Sequence, residues 1–291
     1  MWAMIEKFRM RSMGGTRLVI VTTVRLISAF AVTAIWLVAG GPAAAKAPEP
    51  VPCDPAAGPC WDPEPTTEPW QIQFQGRIDL SVPAAVYDID VDSDPALVDA
   101  IHAQGDRAIC YISAGSWEPF RSDAGEFRRK LLGRPIAGFE EERWLDIRRI
   151  GRLRPIMEGR MDECVAKGFD AVDPDNVDGY QNRTGFPLKA ADQLVYNATI
   201  ANLAHERGMA VGLKNDLGQV GKLLPYFDFQ VNEQCFQYRE CDRLDRFIAA
   251  GKPVYGIEYE VRPSRFCAPA LAHGFSTIYK RYSLRAFREV C

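Results

Sequence analysis

Within nine residues the run Gly168-Phe169-Asp170-Ala171-Val172-Asp173-Pro174-Asp175-Asn176-Val177-Asp178-Gly179-Tyr180 presents four carboxylates, Asp170, Asp173, Asp175 and Asp178. Carboxylates in that density can transfer protons, stabilise a developing positive charge or bind a cation. An apolar run enters the stretch, Gly179 breaks it, and Asn182, Thr184 and Gly185 continue as loop. A strand ending in acids and turns is how α/β enzymes present catalytic groups, at the carboxyl edge of a parallel sheet. A solvated Asx turn produces the same composition. An EF-hand does not fit: counting from Asp173, the fifth position is Val177 and the sixth is Asp178, where glycine is needed.

The elements that must position these acids are marked by punctuation. Apolar runs at Trp70–Phe74, Ala85–Ile89, Arg107–Ile112, Phe169–Asp173, Met209–Leu213, Phe227–Val231, Pro253–Ile257 and Phe275–Tyr279 predict strands, with a weaker ninth at Trp144–Ile147. Helices are expected over Pro95–Gln104, Ile150–Lys167, Ala190–Arg207, Leu244–Ala250 and Pro263–His273, each stopped by a glycine just before a strand. Alternating β and α over about 220 residues implies a parallel sheet covered on its faces. The expected fold is therefore α/β, a single (β/α)8 TIM-type barrel over residues 70–291. A doubly wound open sheet is the alternative, but the glycine-rich phosphate turn that usually follows its first strand is missing from the sequence.

On such a barrel the strand ends collect Asp88 and Asp90; Tyr111, Ser113, Ser116 and Glu118; Asp146; Asp173, Asp175, Asn176 and Asp178; Lys214, Asn215 and Asp216; Asn232, Glu233 and Gln234; Glu258 and Tyr259; and Lys280. Acids and amides on one rim suit a carbohydrate site, where carboxylates move protons and amides and aromatics hold hydroxyls and ring faces. The sequence has no G-x-S-x-G elbow, H-E-x-x-H or Walker loop, which argues against serine-hydrolase, zincin and NTPase chemistry.

Composition narrows the setting. The formal charge of −3 divides into +4 over residues 1–45 and −7 over the rest, so no basic stripe points to nucleic acid. A basic lead, the apolar run Leu26–Ala39 and the small-residue site Ala43-Ala44-Ala45 describe a cleavable signal peptide over residues 1–45. An uncleaved anchor from Leu18 to Ala39 is disfavoured by Arg25 within it. The mature protein is expected to be secreted, free of the membrane and monomeric. Residues 46–69 carry eight prolines and read as a linker or strap along the surface. All eight cysteines lie beyond the leader and none forms C-x-x-C, so disulfides are expected. Cys53–Cys60 and Cys235–Cys241 are the local pairs, and Cys110–Cys164 with Cys267–Cys291 complete the set. The three histidines lack metal-ligand spacing, and neither a metal nor any other cofactor is expected.

A family resemblance is carried by W-x-I-Q-x-Q-G (70–76), V-Y-D-I-D (86–90), I-C-Y-I-S-A-G-S-W-E (109–118), R-S-D (121–123), W-L-D-I-R (144–148), G-F-D-A-V-D-P-D-N-V-D-G-Y (168–180), T-G-F-P-L (184–188), G-L-K-N (212–215), V-N-E-Q-C (231–235), Y-x-x-C (238–241) and I-E-Y (257–259). The chain resembles glycoside hydrolase family 114, the endo-α-1,4-polygalactosaminidases. That resemblance implies a barrel hydrolysing internal α-1,4 links of a galactosamine-containing polysaccharide. It puts Asp175 at the family's catalytic Asp after the fifth strand and Glu233 at the Glu of N-E-Q-C. Asp175 is then nucleophile or charge stabiliser and Glu233 proton donor, with retention favoured; the reverse assignment stays open. Asp88, Asp90, Tyr111, Ser113, Glu118, Asp173, Asn176, Asp178, Lys214, Asn215, Glu258 and Tyr259 are candidate substrate contacts. A non-catalytic carbohydrate-binding barrel and a metal-dependent polysaccharide deacetylase are the rival readings.

Overall fold

Each of the five glycines expected to stop a helix, Gly105, Gly168, Gly208, Gly251 and Gly274, has a φ between 68° and 88°. Only glycine adopts that region without strain, so these positions end one helix and release the chain into the next strand. The computed structural model describes residues 46–291, and the targeting segment expected over 1–45 lies outside them. The first half of the chain forms β1 (Gln71–Gln73), β2 (Val86–Asp90), α1 (Pro95–Ala103), β3 (Arg107–Ser113), β4 (Ser116–Trp117), β5 (Leu132–Ile136), β6 (Phe139–Leu145) and α2 (Ile150–Ala166). The second forms β7 (Ala171–Asp175), α3 (Ala190–His205), β8 (Ala210–Lys214), α4 (Val220–Leu223), β9 (Phe229–Glu233), α5 (Cys235–Tyr238) and α6 (Asp245–Ala249). It ends with β10 (Val254–Glu258), α7 (Pro263–His273), β11 (Ser276–Lys280) and β12 (Arg288–Val290).

Eight strands pair in parallel in the order β1-β2-β3-β7-β8-β9-β10-β11, and β12 adds antiparallel to β11. The seam back to β1 is bridged by the final segment. Phe74 and Gln75 donate backbone N–H to Leu284 O, and Gln71 Nε2 donates to Ala286 O. The result is a nearly closed TIM-type barrel, as expected. Alternation along each strand then sorts side chains into two cores. Val86, Ile109, Ala171, Ala210, Phe229, Tyr255 and Ile278 pack inside with Trp70 and Ile72. Tyr87, Cys110, Val172, Val211 and Val254 face outward to the helices. The carboxyl-end residues two or four further on inherit the inward direction: Asp88, Tyr111, Asp173, Asp175, Lys214 and Glu233.

The weak ninth strand at 144–147 is not part of the barrel. Trp144 and Leu145 end β6, which pairs antiparallel with β4 and β5 in a separate three-stranded sheet between β3 and α2. Residues 147–149 turn as a 3-10 helix, and Asp146 is held by Arg148 and Arg149. A short apolar run cannot by itself distinguish a barrel strand from a hairpin arm. Asp175 therefore ends the fourth barrel strand, not the fifth.

Residues 46–69 contain no helix or strand and run against α3. Asn202 exchanges hydrogen bonds with Val51 N and Glu49 O, His205 Nδ1 meets Val51 O, and Tyr226 OH donates to Pro48 O. Trp61 packs against Phe229, with ring centroids 6.0 Å apart. The cysteines close the four expected pairs: Cys53–Cys60, Cys110–Cys164, Cys235–Cys241 and Cys267–Cys291. Among the described residues no helix is long and apolar enough to cross a membrane.

Candidate active site

The parallel register stacks Asp173 beside Tyr111 and Asp175 beside Ser113, while Lys214 sits beside Val231. These side chains meet at the carboxyl mouth around one buried ammonium. Lys214 Nζ lies 3.2 Å from Asp175 Oδ1 and 3.7 Å from both Asp173 Oδ2 and Glu233 Oε2. Burial opposes the charge on Lys214, but Asp175, Glu233, Asp173 and Asp88 together offset that penalty, so its pKa is raised. The ammonium stays positive at any ordinary pH.

Each of the two central carboxylates has its own donors. Asp175 Oδ2 accepts from Tyr111 OH at 2.9 Å and from Asn176 Nδ2 at 3.4 Å. Glu233 Oε1 accepts from Tyr259 OH at 2.6 Å, and its Oε2 accepts from Asn215 Nδ2 at 3.1 Å. Burial, with the charge of Asp175 adding to it, raises the Glu233 carboxyl above the ordinary range. Asp88 and Asp173 lie deeper and fully buried; apart from the Lys214 ammonium 3.7 Å from Asp173, neither meets another donor among the described residues. They face one another, and burial pushes Asp88 well up and Asp173 to about 7, the pattern of two carboxyls sharing a proton.

The backbone that aims these groups is itself constrained. The residues after β7, β8 and β9 are left-handed: Asn176 at φ 62°, Asn215 at 51° and Gln234 at 64°. Such conformations cost about 1 kcal/mol or more for residues with a Cβ, and they collect at functional sites. Here each turns the chain abruptly after Asp175, Lys214 or Glu233. Ala114 and Gly115 both donate backbone N–H to Asp175 O, and a Cβ on Gly115 would stand 1.7 Å from Asn176 O. Only glycine lets the β3 loop approach that closely.

Not every candidate joins this cluster. Asp90 and Glu118 are both held by the buried Arg121, with contacts of 2.5 to 3.1 Å. Glu258 points outward from β10 and accepts Phe236 N at 2.8 Å, tying down the start of α5. Its neighbour Tyr259 is the one that reaches Glu233. Asp178 accepts from Asn182 Nδ2 within the loop after β7. Ser113 forms a hydroxyl pair with Ser116 at 2.6 Å, and Asn176 Nδ2 donates to both. Asp170 lies at the opposite end of β7, where it accepts from Arg107, Ala108 N and His102.

Two aromatic supports were not singled out in the sequence. Phe74 packs on Tyr111 at 4.2 Å, and Tyr282 stacks on Tyr259 at 4.5 Å. Both follow the carboxyl ends of barrel strands, Phe74 after β1 and Tyr282 two residues past the end of β11, the positions where site residues were sought. Glu142, from the 139–145 arm, also reaches this side of the site and accepts from Ser116 Oγ at 3.2 Å. Its Glu140-Glu141-Glu142 run has the look of a solvated turn.

The three histidines are engaged elsewhere: His102 with Asp170, His205 with Val51 O and Asp228, and His273 with Asp245. What converges at the mouth is a pair of donor-held carboxylates straddling one ammonium, an arrangement suited to acid–base and nucleophilic work on a neutral or cationic substrate.

Comparison with known proteins agrees with this architecture. Comparison with curated protein sequences gives no match. Among solved structures, Ega3 of Aspergillus fumigatus, crystallised in complex with galactosamine, is similar at 38% identity and a TM-score of 0.75. That similarity covers 79% of this chain and 97% of Ega3. The glycoside hydrolase domain of PelA from Pseudomonas aeruginosa shares the fold at 15% identity and a TM-score of 0.61, over 76% of this chain and 98% of that domain. The profile of glycoside-hydrolase family GH114 matches residues 52–291, nearly the whole described chain, and the protein therefore belongs to that family and is a glycoside hydrolase.

Proposed function

We propose that this protein is a secreted endo-acting hydrolase of α-1,4-linked galactosamine polymers, with Asp175 as nucleophile and Glu233 as general acid and then base. The observation that carries the assignment is Lys214, whose ammonium lies 3.2 Å from Asp175 and 3.7 Å from Glu233, the two carboxylates that each also accept a tyrosine hydroxyl. Its two contacts keep the facing oxygens of Asp175 and Glu233 within about 7 Å, compatible with the spacing of about 5–5.5 Å that retaining enzymes use. Lys214 and Tyr111 aim their donors at Asp175, which suits an anionic nucleophile. Glu233 suits the proton donor because burial favours its protonated form.

In this scheme Glu233 protonates the leaving glycosidic oxygen while Asp175 attacks the anomeric carbon and forms a glycosyl-enzyme. Glu233, now ionised, takes a proton from water, which attacks the same carbon and releases Asp175. The acidic body and the cluster of carboxyls at the mouth favour a cationic amino sugar, and Ega3 binds galactosamine. Four disulfides and the expected leader fit export. The deacetylase reading has less support, because no histidine approaches Asp175 or Glu233 among the described residues.

The test is release of reducing ends from partially deacetylated α-1,4-galactosaminogalactan. Asp175→Asn and Glu233→Gln are each expected to lower kcat by about a thousandfold or more. Wild-type rates in both variants would remove these residues from the mechanism.

A further inference from the structure

Glu142 is a carboxylate on the Asp175 side of the mouth that the barrel strands do not supply. It comes from β6 of the antiparallel insertion, two residues from Trp144 on the same face of that strand. Trp144 lies against Gly179, so this face of the insertion looks onto the loop after β7. Glu142 Oε2 accepts from Ser116 Oγ at 3.2 Å; Ser116 and Ser113 share a hydrogen bond, and Asn176 Nδ2 donates to both and to Asp175 Oδ2. From Glu142 through Ser116 and Asn176 to Asp175 there are three such bonds. Those bonds keep the two carboxylate oxygens no more than about 10 Å apart, within the reach of one sugar ring that hydrogen-bonds at each side. The side chain is half-buried.

We propose that Glu142 receives the protonated 2-amino group of the sugar bound beside Asp175, and so selects deacetylated residues of the polymer. The inference rests on the amino-sugar hydrolase reading above and names the group that recognises the amine. The electrostatics run the same way. Burial, together with the charges of Glu118 and Asp175, raises the Glu142 carboxyl to about 7, and Glu142 in turn acts on Tyr111. A cation placed between Glu142 and Asp175 relieves that repulsion and holds Glu142 ionised. An N-acetyl group brings no charge and leaves the repulsion in place. Ser113, Ser116 and Asn176 keep Glu142 and Asp175 at a set distance, so the amine and the anomeric carbon are positioned together.

Glu142→Gln keeps the hydrogen bond from Ser116 and removes the charge; Glu142→Asp keeps the charge on a shorter stem. KM and kcat are measured for the wild type and both variants on partially deacetylated α-1,4-galactosaminogalactan and on the same polymer after chemical re-N-acetylation. The expected result for Glu142→Gln is a rise in KM on the deacetylated polymer of about ten- to a hundredfold, the loss of one charge-assisted hydrogen bond. Its kcat stays within about threefold, its preference over the re-acetylated polymer disappears, and Glu142→Asp restores part of that preference. An unchanged preference in Glu142→Gln overturns the proposal, as does an equal fall in kcat on both polymers with KM unchanged, which is what a purely scaffolding role produces. A wild-type protein that cleaves neither polymer overturns the activity reading and this inference with it. Wild-type cleavage with an unaltered Glu142→Gln profile overturns the inference alone.

Discussion

Replacing Lys214 by methionine removes the cation that, among the described residues, touches Asp173, Asp175 and Glu233, and the consequences can be worked from the distances. At an effective dielectric of about 20, the contact of 3.2 Å with Asp175 is worth about 5 kcal/mol, and each contact of 3.7 Å with Asp173 and Glu233 about 4.5 kcal/mol. These energies do not appear in full as lost stability, because buried carboxyls deprived of a counter-ion take up protons instead. The folded variant then holds more protons than the unfolded chain at every pH above the unfolded carboxylate range, so its stability falls as pH rises. The expected loss for Lys214→Met is about 3–5 kcal/mol at pH 8, shrinking towards nothing near pH 2.5, where the acids are protonated in both states. Urea denaturation of wild type and variant at the two pH values measures this difference. An equal loss at both would refute the view that Lys214 acts through its charge and would leave only its packing. Reducing-end release should fall with it, since Asp175 loses its principal donor.

Three further perturbations follow from the same geometry. Asp88 and Asp173 have raised pKa values, so their favourable contribution is complete below the unfolded value near 3.8 and is lost as pH rises through their folded values, about 7 for Asp173. Asp88→Asn is therefore expected to stabilise the protein by about 1–3 kcal/mol at pH 8 and to leave it unchanged near pH 2.5, read as a shift in Tm. Burial opposes protonation of His205, but Asp228 and Val51 O offset it and raise its pKa. Its ion pair is complete below the unfolded value and is lost as pH rises through the folded one. His205→Gln should thus lose about 1 kcal/mol at pH 5.5 and less at pH 9, with earlier proteolysis of the strap over residues 46–58 as a second readout. Gly115→Ala forces a methyl group into Asn176 O and should cost about 3 kcal/mol together with most of the activity, measured by denaturation and reducing-end release.

Much of this protein is legible in the sequence because its signals are local. A glycine after a helical run, an apolar stretch of strand length and the closely spaced cysteines of Cys53–Cys60 and Cys235–Cys241 each depend on near neighbours, and they delivered the α/β alternation, the barrel and two of the four disulfides. The weak signals were those whose meaning depends on distant partners. Trp144–Leu145 satisfies a strand pattern, but whether it pairs with the barrel or with β4 and β5 depends on residues nearly thirty positions away at Ser116 and Trp117. Asp90, Glu118 and Glu258 are strand-end acids of the same type as Asp175 and Glu233. Arg121 claims the first two, and the alternation of β10 turns the third away.

From its residues alone the chain determined which side chains could do chemistry and roughly which end of the sheet would carry them, because strand ends and turn residues are written into short stretches. The tertiary structure alone decided that Asp175 and Glu233 share one lysine, that Asp88 and Asp173 lie buried beneath them, and that Glu142 arrives from an insertion outside the barrel. Those relations are set by barrel register and inward-outward parity, which arise only when eight strands from across the chain pair at once.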